Sequence, residues 1–106
     1  MSFFDFFKQP DINRGVEEYH NTSGAVLLDV RTPEEYEAGH IPGSKNVPVQ
    51  TIDRILSVAE NKDTPLYVYC RSGARSRQAV GMLEQMGYTN VSNIGGITDY
   101  LGKVER

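Results

Sequence analysis

The sequence predicts an α/β fold in which a central parallel sheet is flanked by helices on both faces. Two short apolar runs, residues 25–30 and 65–69, are rich in β-branched or aromatic side chains and indicate buried strands. Neither run alternates regularly between apolar and polar residues, which favours a parallel sheet covered on both sides. Helical patterns alternate with the strands along the chain, and this order favours right-handed strand–helix–strand crossovers.

Helix signals precede and follow the first strand. Asp11 or Asn13 is placed to cap a first helix, which carries Ile12, Val16 and Tyr19 on one face. Residues 32–35, with the sequence TPEE, predict the start of a second, short helix. They supply an N-cap hydroxyl, a proline at the first helical position and acids in the first turn.

Further helices and two weaker strands are predicted in the second half. A third helix opens at Thr51, and its inward-facing residues are Ile52, Ile55, Leu56 and Ala59. A fourth helix starts near Ser76 and ends before Gly87, a typical C′ residue. Thr98 begins a last short helix. Weaker strand signals lie at residues 46–48 and 91–94, and Gly95 and Gly96 permit a tight turn after the second of these.

Length and composition limit the possible classes of protein. A chain of 106 residues fits one domain, which we assign to residues 1–106. The net charge of −3 argues against a nucleic-acid partner. No apolar run approaches the roughly 18–20 residues needed to cross a bilayer, so we expect no membrane partner. The N-terminus lacks a basic leader followed by an apolar stretch, and we therefore expect a cytoplasmic protein.

Residues 1–10 form an aromatic segment that contains all four phenylalanines of the chain. Two interpretations remain open for this segment. It packs back on the domain as a short lid, or it docks on a partner. The spacing of the aromatic residues does not separate these two interpretations.

The only cysteine of the chain, Cys70, follows the second predicted strand and precedes the fourth helix. A single cysteine excludes an intramolecular disulfide and a Cys-x-x-Cys pair. Ligands of open α/β sheets bind at the carboxyl ends of strands, beside helix N-termini. Short residues after Cys70 let the backbone N–H groups converge as an anion nest, and arginines add positive charge; these residues are Ser72, Gly73, Ala74, Arg71, Arg75 and Arg77. Such surroundings lower the pKa of a thiol, and this predicts a reactive cysteine rather than an inert core residue.

Three segments of the chain together resemble the rhodanese family, specifically its single-domain members. The first comprises DVRTPEEY at residues 29–36 and GHIPGS at residues 39–44. The second is the loop CRSGARS at residues 70–76, and the third is GGITDY at residues 95–100. The resemblance covers residues 25–100. It implies the three-layer fold of that family, in which Tyr100 stands where a tryptophan is common and caps the core.

The resemblance also implies persulfide chemistry without a cofactor or metal. The Cys70 thiolate would attack the outer sulfur of a donor such as thiosulfate, and a cyanide or thiol acceptor, or a sulfur-accepting protein, would remove that sulfur. The backbone donors of the loop would stabilise the anionic persulfide. Arg75 and Arg71 would hold the sulfonate-like end of the donor by charge-assisted hydrogen bonds. The substrate-binding residues expected on this basis are Arg71, Ser72, Gly73, Ala74, Arg75 and Ser76.

Polar residues outside the loop are assigned supporting roles. Asp29 and Arg31 end the first strong strand, so they lie near the same sheet edge as the loop. We expect them to form a structural ion pair or hydrogen-bond network that supports the loop. His40 is expected to be structural, because a thiol with a lowered pKa needs no histidine base.

Two alternatives to sulfurtransferase activity remain. A cysteine phosphatase or arsenate reductase commonly uses a Cys-x5-Arg loop to fit a tetrahedral oxyanion. Here the loop from Cys70 to Arg75 is one residue shorter, and this tighter ring suits a single sulfur atom better. The other alternative is a non-enzymatic module or sulfur carrier that docks on a partner and differs only in its physiological donor and acceptor.

Overall fold

The computed structural model describes residues 10–106, and the aromatic segment before Pro10 lies outside them. The described residues form a four-stranded sheet in the order β2-β1-β3-β4, with every neighbouring pair parallel. The strands are β1 (Val26–Asp29), β2 (Lys45–Asn46), β3 (Leu66–Cys70) and β4 (Val91–Gly96). Both predicted apolar runs are strands, and they pair with each other at the centre of the sheet.

Within the described residues, one α-helix precedes the strands, and three α-helices and two 3₁₀ helices connect or follow them. The α-helices are α1 (Ile12–His20), α2 (Pro33–Ala38), α3 (Ile55–Val58) and α4 (Ala74–Gln85), and the 3₁₀ helices are Val49–Arg54 and Ile97–Asp99. Of the two predicted caps, Asp11 is the one that caps α1, because its carboxylate accepts from the N–H groups of Asn13 and Arg14. Thr32 begins α2 with a capping box, in which Glu35 bonds back to the Thr32 N–H.

The sheet separates two apolar clusters and so forms the middle of three layers. One cluster packs α1 against the sheet and contains Ile12, Val16, Leu27, Ile41, Tyr69 and Ile94. Tyr100 packs against this cluster and caps it as expected. The opposite cluster joins the sheet to the 3₁₀ helix, α3 and α4 through residues such as Leu28, Val68, Ile55 and Leu83. Adjacent strand residues belong to opposite clusters because side chains alternate along a strand.

The third predicted helix needs a correction. The 3₁₀ helix Val49–Arg54 precedes α3, and the non-helical dihedral angles of Thr51 break the regular period. Ile52, Ile55 and Ala59 are buried as expected, but Leu56 is 49% exposed, so its predicted inward position is wrong. Leu56 lies about 100° around the helix from Ile55 and therefore faces away from the core.

The helix boundaries near the cysteine loop also differ from prediction. Helix α4 begins at Ala74, two residues before Ser76. Ser76 is therefore not the N-cap, and its hydroxyl donates back to the Gly73 carbonyl within the first turn. Gly87 follows the end of α4 with φ +101°, as its predicted C′ position requires.

Within residues 10–106, no helix is long and apolar enough to cross a membrane.

Candidate active site

The carboxyl end of the sheet places Cys70 at the start of a short loop. Cys70 is the last residue of β3, and residues 71–73 lead directly into α4. Gly73 has φ +106°, a conformation that side chains disfavour, and this lets the chain turn sharply back over the sulfur. Gly96, at the end of neighbouring β4, lies against the loop so closely that a Cβ atom there would overlap Ser72 and the Arg71 carbonyl. The loop conformation therefore depends on Gly73 for its sharp turn and on Gly96 for its close packing against β4.

The Cys70 sulfur is buried and surrounded by hydrogen-bond donors. Its Sγ accepts from the Gly73 N–H at 3.0 Å and lies 3.5 Å from the Ser76 hydroxyl oxygen. Burial raises the pKa of the Cys70 thiol. Hydrogen bonds from the Ser76 hydroxyl and from backbone N–H groups of Ser76, Gly73 and Ser72 outweigh burial and lower that pKa below its ordinary value. The arrangement favours the nucleophilic thiolate.

Arg75 is paired with a residue that the sequence analysis treated only as a helix-start acid. Its two terminal nitrogens donate to Glu35 Oε1 at 2.7 Å and to Oε2 at 2.9 Å. This bidentate pair lowers the pKa of Glu35 to about 2, and hydrogen bonds from Thr32 act in the same direction. Because α2 and α4 follow neighbouring strands, both helix starts lie at one sheet edge. Topology was the signal that could have predicted the pair.

Asp29 and Arg31 form the expected ion pair. Both residues are buried, and Arg31 donates to Asp29 through its backbone N–H, Nε and a terminal nitrogen at 2.7–3.0 Å. The same terminal nitrogen donates to the Gly39 carbonyl at 2.7 Å. Asn46 donates its amide N–H groups to the carbonyls of Asp29 and Arg31. These contacts tie the end of β1 to the segment after α2 and to β2.

His40 makes contacts of a structural kind. Its ring stacks on Tyr36 with the centroids 3.8 Å apart, and its Nδ1 lies 2.9 Å from the Tyr36 carbonyl oxygen. Its backbone pairs in both directions with Glu105 at 2.8 Å. His40 thus fastens the C-terminal segment to the end of α2.

Asn93 is a residue of the site that the sequence analysis did not single out. Its side-chain oxygen lies 2.7 Å from the Ser76 hydroxyl and accepts from the Gly95 N–H at 3.0 Å. Its side-chain nitrogen donates to the Gly73 carbonyl at 3.4 Å. An amide within a strand beside the cysteine strand was the available signal, because parallel neighbours bring their carboxyl ends together.

The remaining loop arginines are exposed, in contrast to the cysteine. Arg71 and Arg77 point their charge toward solvent around the loop, while Ser76 is fully buried beside the sulfur. Chemically, the site combines one shielded sulfur nucleophile, converging backbone N–H groups and a positively charged rim. This combination suits reaction with a small anion.

Fold and site together define an α/β domain with a buried cysteine of lowered pKa at the carboxyl edge of a parallel sheet. The family model described as Rhodanese-like domain matches residues 14–103. The chain belongs to this family, which confirms the resemblance seen in the sequence.

Relatives and solved structures agree with this assignment. The chain is 41% identical over 73 residues to thiosulfate sulfurtransferase PspE of Escherichia coli (strain K12), covering 68% of this chain and 70% of PspE. It is 36% identical over 80 residues to putative sulfur carrier protein YrkF of Bacillus subtilis (strain 168), covering 74% of this chain but 43% of YrkF.

A rhodanese-like domain protein from Staphylococcus aureus has a similar crystal structure. It matches with a TM-score of 0.77 and 30% identity, covering 93% of this chain and 97% of that one. Together, the family match and the sulfurtransferase-named relatives support sulfur transfer as the general chemistry.

Proposed function

We propose that this protein is a thiosulfate sulfurtransferase that carries sulfur as a persulfide on Cys70. The observation that carries the proposal is the set of hydrogen-bond donors around the buried Cys70 sulfur. A buried thiol would ordinarily resist ionisation, but here the Gly73 N–H donates at 3.0 Å and the pKa of the thiol is lowered. An inert core cysteine has no need of such donors.

The proposed reaction has two displacement steps. In the first, the Cys70 thiolate attacks the outer sulfur of thiosulfate, a new S–S bond forms, and the donor's S–S bond breaks. Sulfite leaves with the electron pair of the broken bond, and Cys70 holds a persulfide whose outer sulfur is anionic. In the second step, cyanide or a thiolate attacks that outer sulfur, and the Cys70 thiolate leaves as it began.

Backbone groups of the loop supply the stabilisation that this cycle needs. The N–H groups of Ser72, Gly73 and Ser76 donate to the sulfur position and would stabilise the charge of the persulfide. Because Arg75 is paired with Glu35, Arg71 and Arg75 would not contribute equally to binding the sulfur donor. We assign the sulfonate-like end mainly to exposed Arg71, and Arg75 contributes through N–H groups that Glu35 leaves free.

The same pairing weighs against phosphatase or arsenate reductase activity. A tetrahedral oxyanion would need the arginine of the loop for its own oxygens, whereas two terminal nitrogens of Arg75 already bind a carboxylate. The loop from Cys70 to Arg75 is also one residue short of the Cys-x5-Arg pattern. We therefore propose transfer of a sulfur atom rather than phosphoryl chemistry.

A protein acceptor is a second possibility for the same chemistry. The printed name of YrkF, a relative, is putative sulfur carrier protein. A small-molecule thiol and a thiol on another protein would meet the same persulfide, so both are compatible with the site. The chemistry on Cys70 is tested first, because either acceptor depends on it.

Mass spectrometry tests the proposal directly. Incubation with thiosulfate should add one sulfur atom to the peptide that contains Cys70, and cyanide should remove it. The Cys70→Ser variant should gain no sulfur and show no thiosulfate–cyanide transfer, while its circular dichroism spectrum matches that of the unmodified chain. Transfer that survives in a folded Cys70→Ser protein would refute the proposal, as would efficient aryl phosphate hydrolysis without sulfur loading.

A further inference from the structure

The Ser76 hydroxyl has one hydrogen but three acceptors within reach. Its oxygen lies 2.7 Å from Asn93 Oδ1, 3.0 Å from the Gly73 carbonyl and 3.5 Å from Cys70 Sγ. Because a hydroxyl donates one hydrogen, these contacts are alternatives. The shortest of them is the contact with Asn93, and it does not involve the sulfur.

The backbone fixes which atom of the Asn93 carboxamide faces Ser76. Val68 pairs with Asn93 and Tyr69 with Gly95, so Ile94 is an extra residue and β4 bulges there. The bulge turns the Gly95 N–H onto Asn93 Oδ1 at 3.0 Å. The side-chain nitrogen of Asn93 is then directed at the Gly73 carbonyl. The oxygen is thus the atom presented to Ser76.

We propose that Asn93 is a positioning residue that competes with the Cys70 sulfur for the hydrogen of the Ser76 hydroxyl. While the sulfur is a neutral thiol, the Ser76 hydroxyl donates its hydrogen bond to Asn93 Oδ1. When the sulfur ionises, the Ser76 hydroxyl turns from Asn93 and donates to the sulfur instead, because hydrogen bonds to charged groups are stronger. Asn93 therefore holds the donor ready beside the sulfur, at the cost of a somewhat higher thiol pKa than Ser76 alone would give.

The competition also follows the proposed cycle, and in this respect it rests on the proposed function. In the persulfide, negative charge moves from Sγ to the outer sulfur. The Ser76 hydroxyl then donates to Asn93 again, and the backbone N–H groups stabilise the negative charge on the outer sulfur. When the acceptor removes the outer sulfur, the negative charge returns to Sγ, and the Ser76 hydroxyl donates to Sγ again.

Charged groups around the sulfur do not change in this exchange. Arg75 in α4 is paired with Glu35 in α2, and Arg31 is paired with Asp29 at the end of β1. Substitution of Asn93 by a neutral residue leaves both pairs intact. A change in the thiol pKa can therefore be traced to the hydrogen-bond network.

The test is the pH profile of Cys70 alkylation by iodoacetamide in a double-mutant cycle. Asn93→Ala should lower the apparent thiol pKa by roughly half to one pH unit, because the Ser76 hydrogen loses its best competing acceptor. Ser76→Ala should raise the apparent pKa. In the Ser76→Ala background, Asn93→Ala should produce no lowering.

Asn93→Ser guards against a folding defect of Asn93→Ala. A serine oxygen can still accept from the Gly95 N–H, but its side chain is one bond shorter and leaves Ser76 free. An unchanged or raised pKa in the folded variants would overturn the proposal, since that is expected if Asn93 merely braces Gly73. An equal lowering without the Ser76 hydroxyl would also overturn it. Alkylation needs no sulfur donor, so failure here is distinct from failure of the sulfurtransferase proposal.

Discussion

Replacement of Glu35 by glutamine should destabilise the protein by removing one charge from the bridge between α2 and α4. The Glu35 carboxylate binds both terminal nitrogens of Arg75, and its Oε1 also accepts from the backbone N–H and hydroxyl of Thr32. Glutamine keeps an acceptor oxygen for Thr32, so the helix cap survives. The substitution therefore isolates the ionic part of the contact.

The expected loss follows from the lowered pKa of Glu35. A fall from 4.5 to about 2 corresponds to an upper bound of about 3 kcal/mol. Since the side chains of Arg75 and Glu35 are 31% and 30% exposed, solvent screens the pair, and we expect about 1–2 kcal/mol at pH 7. The folded-state pKa is lowered, so this stabilisation is present above about pH 4.5 and disappears as the pH falls toward 2.

Urea denaturation followed by circular dichroism measures this difference. Glu34→Gln is the matched control, because Glu34 lies in the same first turn of α2 but is exposed. The Glu35→Gln variant should be less stable than this control at pH 7, and the gap should close between pH 4.5 and 2. Equal stability of the two variants at pH 7 would refute the reasoning, and so would a gap that persists at the acid end.

Four further predictions concern the cysteine loop and α4. Alkylation of Cys70 by iodoacetamide should show an inflection below the ordinary thiol value of about 8.5, and an inflection at or above that value would contradict the lowered pKa. Gly96→Ala should reduce the free energy of unfolding by about 1–3 kcal/mol, because its Cβ would lie 2.5 Å from Ser72 Cα. Gly81→Ala in α4, where a Cβ meets nothing within 4 Å, should instead stabilise by about 0.5–1 kcal/mol, and both are measured by urea denaturation. Insertion of one glycine between Ala74 and Arg75 should shift the ratio of thiosulfate–cyanide transfer to aryl phosphate hydrolysis toward hydrolysis, and an unchanged ratio would show that loop length does not set anion choice.

The central strands and their helices were predictable because local patterns agree with the tertiary fold. Residues 25–30 and 65–69 contain β1 and nearly all of β3, since both strands are covered on two faces and, apart from Asp29 at the end of β1, carry mostly apolar or aromatic side chains. Residues 45–58 were predicted less well. This stretch holds a two-residue edge strand, a 3₁₀ helix and a single turn of α-helix, none long enough to establish a period.

Contacts within the site were predictable where the two residues lie close along the chain and were missed where they lie far apart. Asp29 and Arg31 are two residues apart at the end of one strand, and their pairing needs only that strand. Arg75 and Glu35 are separated by 40 residues, and Ser76 and Asn93 by 17. Both of these pairs depend on which strands are neighbours and on the register between them. The bulge in β4, which aims Asn93 at Ser76, is a feature of register that apolar patterns do not encode.

The lowered pKa of the Cys70 thiol depends on the hydrogen bonds of the loop carbonyls as well as on the direction of its N–H groups. The Arg71 carbonyl accepts from the Thr98 N–H at 3.2 Å and from the Thr98 hydroxyl at 3.1 Å. The Gly73 carbonyl accepts from the Arg77 N–H at 3.1 Å, within the first turn of α4. Each peptide unit has its carbonyl and N–H on opposite sides. The Arg71 carbonyl shares its peptide plane with the Ser72 N–H, so holding that oxygen at Thr98 turns the Ser72 N–H toward the Cys70 sulfur. Thr98, which follows β4, therefore helps to lower the pKa of the Cys70 thiol.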